Sequence, residues 1–111
     1  MSRTDMILEH ILKDCDDIQE FISGLTEDAF QQNKLVRNAV GMSLVNIGEL
    51  VKALPQDFRD AHPELPWRNI AGMRDLVAHK YHTLDMTAVW NVARYRIPEI
   101  ISFIQKHKST T

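Results

Sequence analysis

The sequence predicts an all-α fold, an antiparallel bundle of four to five helices. Apolar residues recur three and four apart over long stretches. No segment alternates apolar and polar residues as a half-buried strand would. The one long break holds three prolines in twelve residues, and the remaining connections are short.

The elements follow in order. "DMILEHILKDCDDIQEFISGL" places Ile7, Leu8, Ile11, Leu12, Cys15, Ile18, Phe21, Ile22 and Leu25 on one helical stripe, with acids opposite. Gly24 weakens its last turn. Thr26 is a natural cap for the next helix, and Glu27 and Asp28 suit its positive end. That second helix is expected over about Glu27–Leu54, on the stripe Val36, Val40, Leu44, Ile47, Val51 and Leu54. Gly41 and Gly48 stand seven apart on one face of it and suggest a close approach to a neighbouring helix, with a kink as the alternative. "PQDFRDAHPELP" should be a loop with one short turn. A third helix is expected from about Trp67 to His82, with Ile70, Met73, Val77, Tyr81 and Leu84 as its seam. Asp85 would cap a last helix over about Met86–Lys106, bent near Arg94–Ile97 because Pro98 removes a backbone donor. The broad apolar faces of the first and last helices suggest a homodimer.

The chain has 111 residues, 44% of them hydrophobic and 25% charged, which suits one domain over residues 1–111 with one core. No apolar run is long enough for a signal peptide or a membrane span, and a single cysteine, Cys15, forms no internal disulfide. A cytoplasmic protein is expected. The charge is uneven. Residues 1–33 carry eight acids against two bases, and the remainder carries eleven bases against seven acids. That suits a polyanion site on the later helices, although a mixed solvated surface would look the same.

"RDLVAHKYH", Arg74–His82, concentrates the polar chemistry. Arg is a planar fork matched to phosphate oxygens, and His exchanges protons near neutral pH. Together they can cleave RNA without a metal: His79 moves a proton at the ribose 2′-OH or the leaving oxygen, and Arg74 stabilises charge at phosphorus. Asp75 would orient His79 or Arg74. At 100° per residue, Arg74 and Tyr81 nearly eclipse, whereas Arg74 and His79 stand about 140° apart. A long Arg reaching around, an irregular helix, or a two-fold dimer sharing one cleft would each reconcile the pair. The plain alternative is a solvated helix face with Tyr81 in the core. His79 and His82 are three apart, with His62 remote, but no cysteine or carboxylate set completes a zinc site, so no metal and no cofactor is expected. Cys15, on an apolar face, reads as a small hydrophobe.

"WRNIAGMRDLVAHKYHTLDMTAVWNVARYRIPEI" resembles the HepT-like branch of the HEPN superfamily, toxins of type VII toxin–antitoxin systems. The shared signature is Arg, four to six residues, His, any residue, Tyr, met here by Arg74, His79 and Tyr81. Trp67, Gly72–Arg74, Tyr81 to Asp85, Trp90 and the late proline agree, as does "VRNAVGMSLVNIGEL", with Arg37, Asn38, Ile47, Gly48 and Glu49. The resemblance covers roughly residues 5–105. It implies a dimeric helical bundle and a metal-independent RNA endonuclease with a composite cleft at the dimer interface. Arg74 and His79 would be the catalytic pair, supported by Asp75, Arg68 and Lys80. Tyr81 would be the residue that an MntA-like minimal nucleotidyltransferase antitoxin modifies with AMP, adding bulk and negative charge where an RNA backbone must bind. The branch often has Asn after the motif Arg; here Asp75 stands there, able to pair with Arg74 but repelling phosphate. A non-catalytic helical module that dimerises and pairs with such a transferase remains the alternative.

Overall fold

The computed structural model describes the backbone of residues 1–83 and 86–110, and the side chains of residues 1–80 and 86–108. Helix α1 (Arg3–Ile22) opens on a reciprocal cap: Ser2 Oγ accepts the Asp5 N–H and the Asp5 carboxylate accepts the Ser2 N–H, each at 3.1 Å. Its stripe of Ile7, Leu8, Ile11, Cys15 and Ile18 is buried. The chain leaves α1 through Gly24, whose φ of 76° lies in the left-handed region that favours glycine.

Thr26 caps the next element as expected, its Oγ1 accepting the Ala29 N–H at 3.1 Å. The helix expected over Glu27–Leu54 is instead two helices, α2 (Glu27–Gln32) and α3 (Lys34–Ala53). Asn33 is the cause. It leaves helical backbone at φ −105°, ψ 94°, and its side chain accepts the Val36 N–H at 3.0 Å, so it caps a new helix. The break lets α2 lie on α7 (Thr87–Asn91), where the Phe30 and Trp90 rings meet at 5.2 Å. Helix α3 is the hub of the packing, against α1 on one side and against α5 (Trp67–Ala71) and α6 (Met73–Thr83) on another.

The proline-rich connection contains one short helix, α4 (Gln56–Ala61). It is closed by the Trp67 indole N–H, which donates to the His62 carbonyl at 2.7 Å. The third expected helix is nearly continuous, but Gly72 separates α5 from α6. The predicted bend of the last helix is a π-helical turn over Val92–Arg96, between α7 and α8 (Ile97–Thr110). Pro98 explains it: the proline has no N–H for the carbonyl four residues back and its ring crowds that carbonyl, so the turn widens just before it. The expectations for Leu84 and Asp85 lie outside the described residues. Val40, Leu44, Ile47 and Val51 of α3 and Ile100 and Ile104 of α8 share one core with the α1 stripe, which packs against both helices. No described helix is long and apolar enough to cross a membrane.

The apolar faces of α1 and α8 are largely used inside the chain. Ile97, Ile100 and Ile104 are buried, and α1 leaves Met6 and Phe21 in solvent. More apolar surface is exposed on α3, where Leu35 is 79% and Met42 62% exposed.

Candidate active site

Helix α6 is fixed on α3 by its buried face, Met73 and Val77. Gly48 sets the distance. A Cβ there would stand 3.0 Å from the Ala71 carbonyl oxygen, 3.3 Å from the Arg74 nitrogen and 3.4 Å from the Arg74 Cβ. Two helices approach closely where one presents only a hydrogen, as the spacing of glycines suggested. The backbone that carries Arg74 is therefore seated directly on α3.

The outward face of α6 carries Arg74, Asp75, Ala78 and His79, all exposed. The helix is regular α from Met73 to Thr83, so an irregular helix does not reconcile Arg74 with His79. Their roughly 140° separation stands, with a rise of about 7.5 Å between them. They are the two borders of one solvent-facing face, and the residue between them nearest Arg74 is the small Ala78.

Arg74 is held by two carboxylates. Its Nη1 donates to Glu49 Oε1 of α3, and its Nε lies 3.7 Å from Asp75 Oδ1. The hydrogen bond from Arg74 holds the Glu49 carboxyl below the usual carboxylate range. The same bond, with the charges of Glu49 and Asp75, raises the already high Arg74 value further. Both groups face solvent, with side chains 47% and 48% exposed, so the pair orients the fork more than it stabilises the fold. Of the two roles expected for Asp75, the geometry shows the contact with Arg74.

The other expected site residues are more dispersed. Arg68 is exposed on α5, on the other side of Gly72, and Lys80 is half-buried on α6. The Tyr81 side chain lies outside the described residues. Glu49 was visible in the sequence only as part of the α3 segment shared with the resembled family; its contact with Arg74 spans 25 residues and no local pattern reveals it. His62 sits in an aromatic cluster with Phe58 and His107, at ring distances of 4.5 and 5.3 Å. Among the described residues, no group of three or more His, Cys, Asp or Glu could hold a metal ion. Burial pushes the Cys15 thiol up to about 12, with Asp16 and Asp14 adding to the effect, so it stays protonated and acts as a small core side chain.

A helical bundle that turns an Arg-x4-His segment outward, with Tyr two residues further along the chain, belongs to the HEPN type. More narrowly, the chain belongs to the HepT-like ribonuclease family: the family model described as "Ribonuclease HepT-like" matches residues 11–107. Its relatives include "Putative RNase MJ1216" of Methanocaldococcus jannaschii, 40% identical over 89% of this chain and 82% of the relative. "Putative RNase TTE0752" of Caldanaerobacter subterraneus subsp. tengcongensis is 39% identical over 84% of this chain and 83% of its own. "Probable ribonuclease HepT" of Thermococcus cleftensis is 35% identical, covering 89% and 90%. No solved structure matches the chain.

Proposed function

We propose that this protein is the toxin of a cytoplasmic toxin–antitoxin pair, a metal-independent endoribonuclease acting as a single helical domain. His79 is the general acid/base and Arg74 the binder of the scissile phosphate and its transition state. One His takes the proton of a ribose 2′-OH as that oxygen attacks the adjacent phosphorus. A second group must protonate the departing 5′-oxygen. Arg74 neutralises the charge that builds on the phosphoryl oxygens. The observation that carries this reading is the exposure of both Arg74 and His79 on α6, in a chain of the HepT-like ribonuclease family.

A homodimer would supply both protons from two copies of His79. The exposed α3 residues Leu35 and Met42 support a second copy docking there. They lie seven apart, and seven further along the same stripe stands Glu49, the partner of Arg74. A dimer on that stripe would end at the Arg74 border of α6.

The regulatory part of the reading is that a minimal nucleotidyltransferase of the MntA type silences the toxin by adding AMP to Tyr81. The chain has two tyrosines, and the other, Tyr95, is 65% exposed. Incubation with such a transferase and ATP should therefore add AMP masses to wild type and to Tyr95→Phe but not to Tyr81→Phe. Modification that persists in Tyr81→Phe removes Tyr81 from the scheme.

Cleavage of total RNA tests the core of the reading. Arg74→Ala and His79→Ala should each lower the rate by about 10²–10³-fold, and EDTA should leave wild type unchanged. Equal rates in all three proteins overturn it. A second reading, a non-catalytic module that pairs with the transferase, is favoured by one observation: carboxylates flank Arg74 on both sides, where phosphate would have to bind. A protein that binds the transferase but never yields new RNA ends would establish it.

A further inference from the structure

A second concentration of chemistry lies between the α4–α5 connection and one face of α8. It is a cleft of about 650 Å³, within the range of small-ligand sites. Leu65 and Phe103 give it an apolar floor. The Phe103 and His107 rings are nearly parallel, 12° apart in plane, and His62 stands edge-on to both at 5.5 and 5.3 Å. Trp67 braces the group from behind, 5.4 Å from Phe103 and hydrogen-bonded to the His62 carbonyl. The rim carries Glu64 and Lys106.

These parts define a ligand. Parallel rings offer a stacking surface to a flat heteroaromatic ring. The Glu64 carboxylate is 3.7 Å from His62 Nδ1 and largely in solvent, and it can only accept hydrogen bonds when ionised. The other acid of the cleft, Glu99, already accepts from Arg96 at 2.9 Å. Among the nucleobases, guanine alone presents two adjacent ring-edge donors, N1–H and N2–H, that match the two oxygens of one carboxylate. Lys106 at the rim suits the phosphate that such a base carries.

We propose that this cleft reads guanine: the base stacks on the Phe103–His107 surface, donates N1–H and N2–H to Glu64, and turns its phosphate to Lys106. The ligand is a free guanine nucleotide or a guanine in single-stranded RNA. The second source rests on the ribonuclease reading; the recognition chemistry does not.

The test is calorimetric titration of the full chain with GMP, AMP and CMP, and with two single-stranded hexanucleotides that do or do not contain one G. GMP should bind about tenfold or more tightly than AMP. Glu64→Gln should abolish that preference, since its amide sets a donor against a donor, while Lys106→Ala should weaken all three mononucleotides alike. Glu64 and Lys106 are exposed, so both variants should keep the helical circular dichroism of wild type. Tighter binding of the G-containing hexamer than of GMP identifies an RNA subsite; equal or weaker binding identifies a free-nucleotide site, and either upholds guanine reading. Equal affinity for AMP and GMP, a GMP preference that survives Glu64→Gln, or no nucleotide binding overturns the proposal. None of these results bears on RNA cleavage by Arg74 and His79, which the His79→Ala comparison reads separately.

Discussion

Arg74 is committed before any ligand arrives: its guanidinium is shared between Glu49 of α3 and its neighbour Asp75. The guanidinium has five N–H donors, so these contacts fix its plane and leave others for a phosphate oxygen. The pH at which this arrangement fails follows from Glu49. Its folded-state value is depressed, so the pairing is complete above the ordinary carboxylate value of 4.5 and is lost only as pH falls through the lower folded value. Between pH 5 and 8 neither partner changes charge. The Arg74–Glu49 pair should therefore contribute no pH dependence to RNA cleavage in that range. Glu49→Gln should lower kcat/KM evenly between pH 5 and 8, because the amide still accepts a hydrogen bond but no longer carries the charge that orients the fork. A Glu49→Gln protein that cleaves at the wild-type rate would show that the carboxylate does not orient the fork.

At the scale of elements, the site depends on how closely α6 lies on α3, and Gly48 controls that. In Gly48→Ala the new methyl meets the Ala71 carbonyl oxygen and the Arg74 backbone, which cannot swing aside as a flexible side chain would. Overpacking of this kind costs about 1–3 kcal/mol, against a gain of about 1 kcal/mol from replacing glycine within a helix. The net should be a lower Tm, by a few degrees, and weaker RNA cleavage as Arg74 is pushed outward. A higher Tm would mean the contact is slack. Gly48 was legible from its spacing in the sequence, and so were the all-helical class, the Thr26 cap and the bend before Pro98. The α2–α3 break depends on Asn33 leaving a helix whose apolar stripe runs on past it, and side-chain capping leaves no mark in periodicity. The candidate site was legible only as a run of residue types from Arg74 to Tyr81. Glu49 was not legible as Arg74's partner, because that contact joins two helices 25 residues apart.

For the whole molecule, the question is what covers α3. Ile97, Ile100 and Ile104 of α8 are enclosed within the chain, and Ile101 and Phe103 are partly buried, so that helix has less apolar surface to offer a partner. Leu35 and Met42 remain in solvent on one side of α3, beside the polar Asn38 and Asn46, and exposed apolar side chains set among polar ones are what a two-fold interface buries. A two-fold axis beside those residues would bring the α6 faces of two copies together. The acid and the base that cleavage needs would then come from different chains, and the 140° between Arg74 and His79 would cease to be an obstacle. Met42→Glu places a carboxylate in each copy at such an interface, and facing like charges there repel. It should convert a dimer to a monomer in light scattering coupled to size exclusion, with unchanged helical circular dichroism. Met6→Glu, on the exposed side of α1, should leave the dimer intact. RNA cleavage should fall with the dimer in Met42→Glu and persist in Met6→Glu. A monomeric Met42→Glu protein with the full wild-type rate would mean that each chain carries a complete site, and the shared cleft would have to be abandoned while the roles of Arg74 and His79 stood.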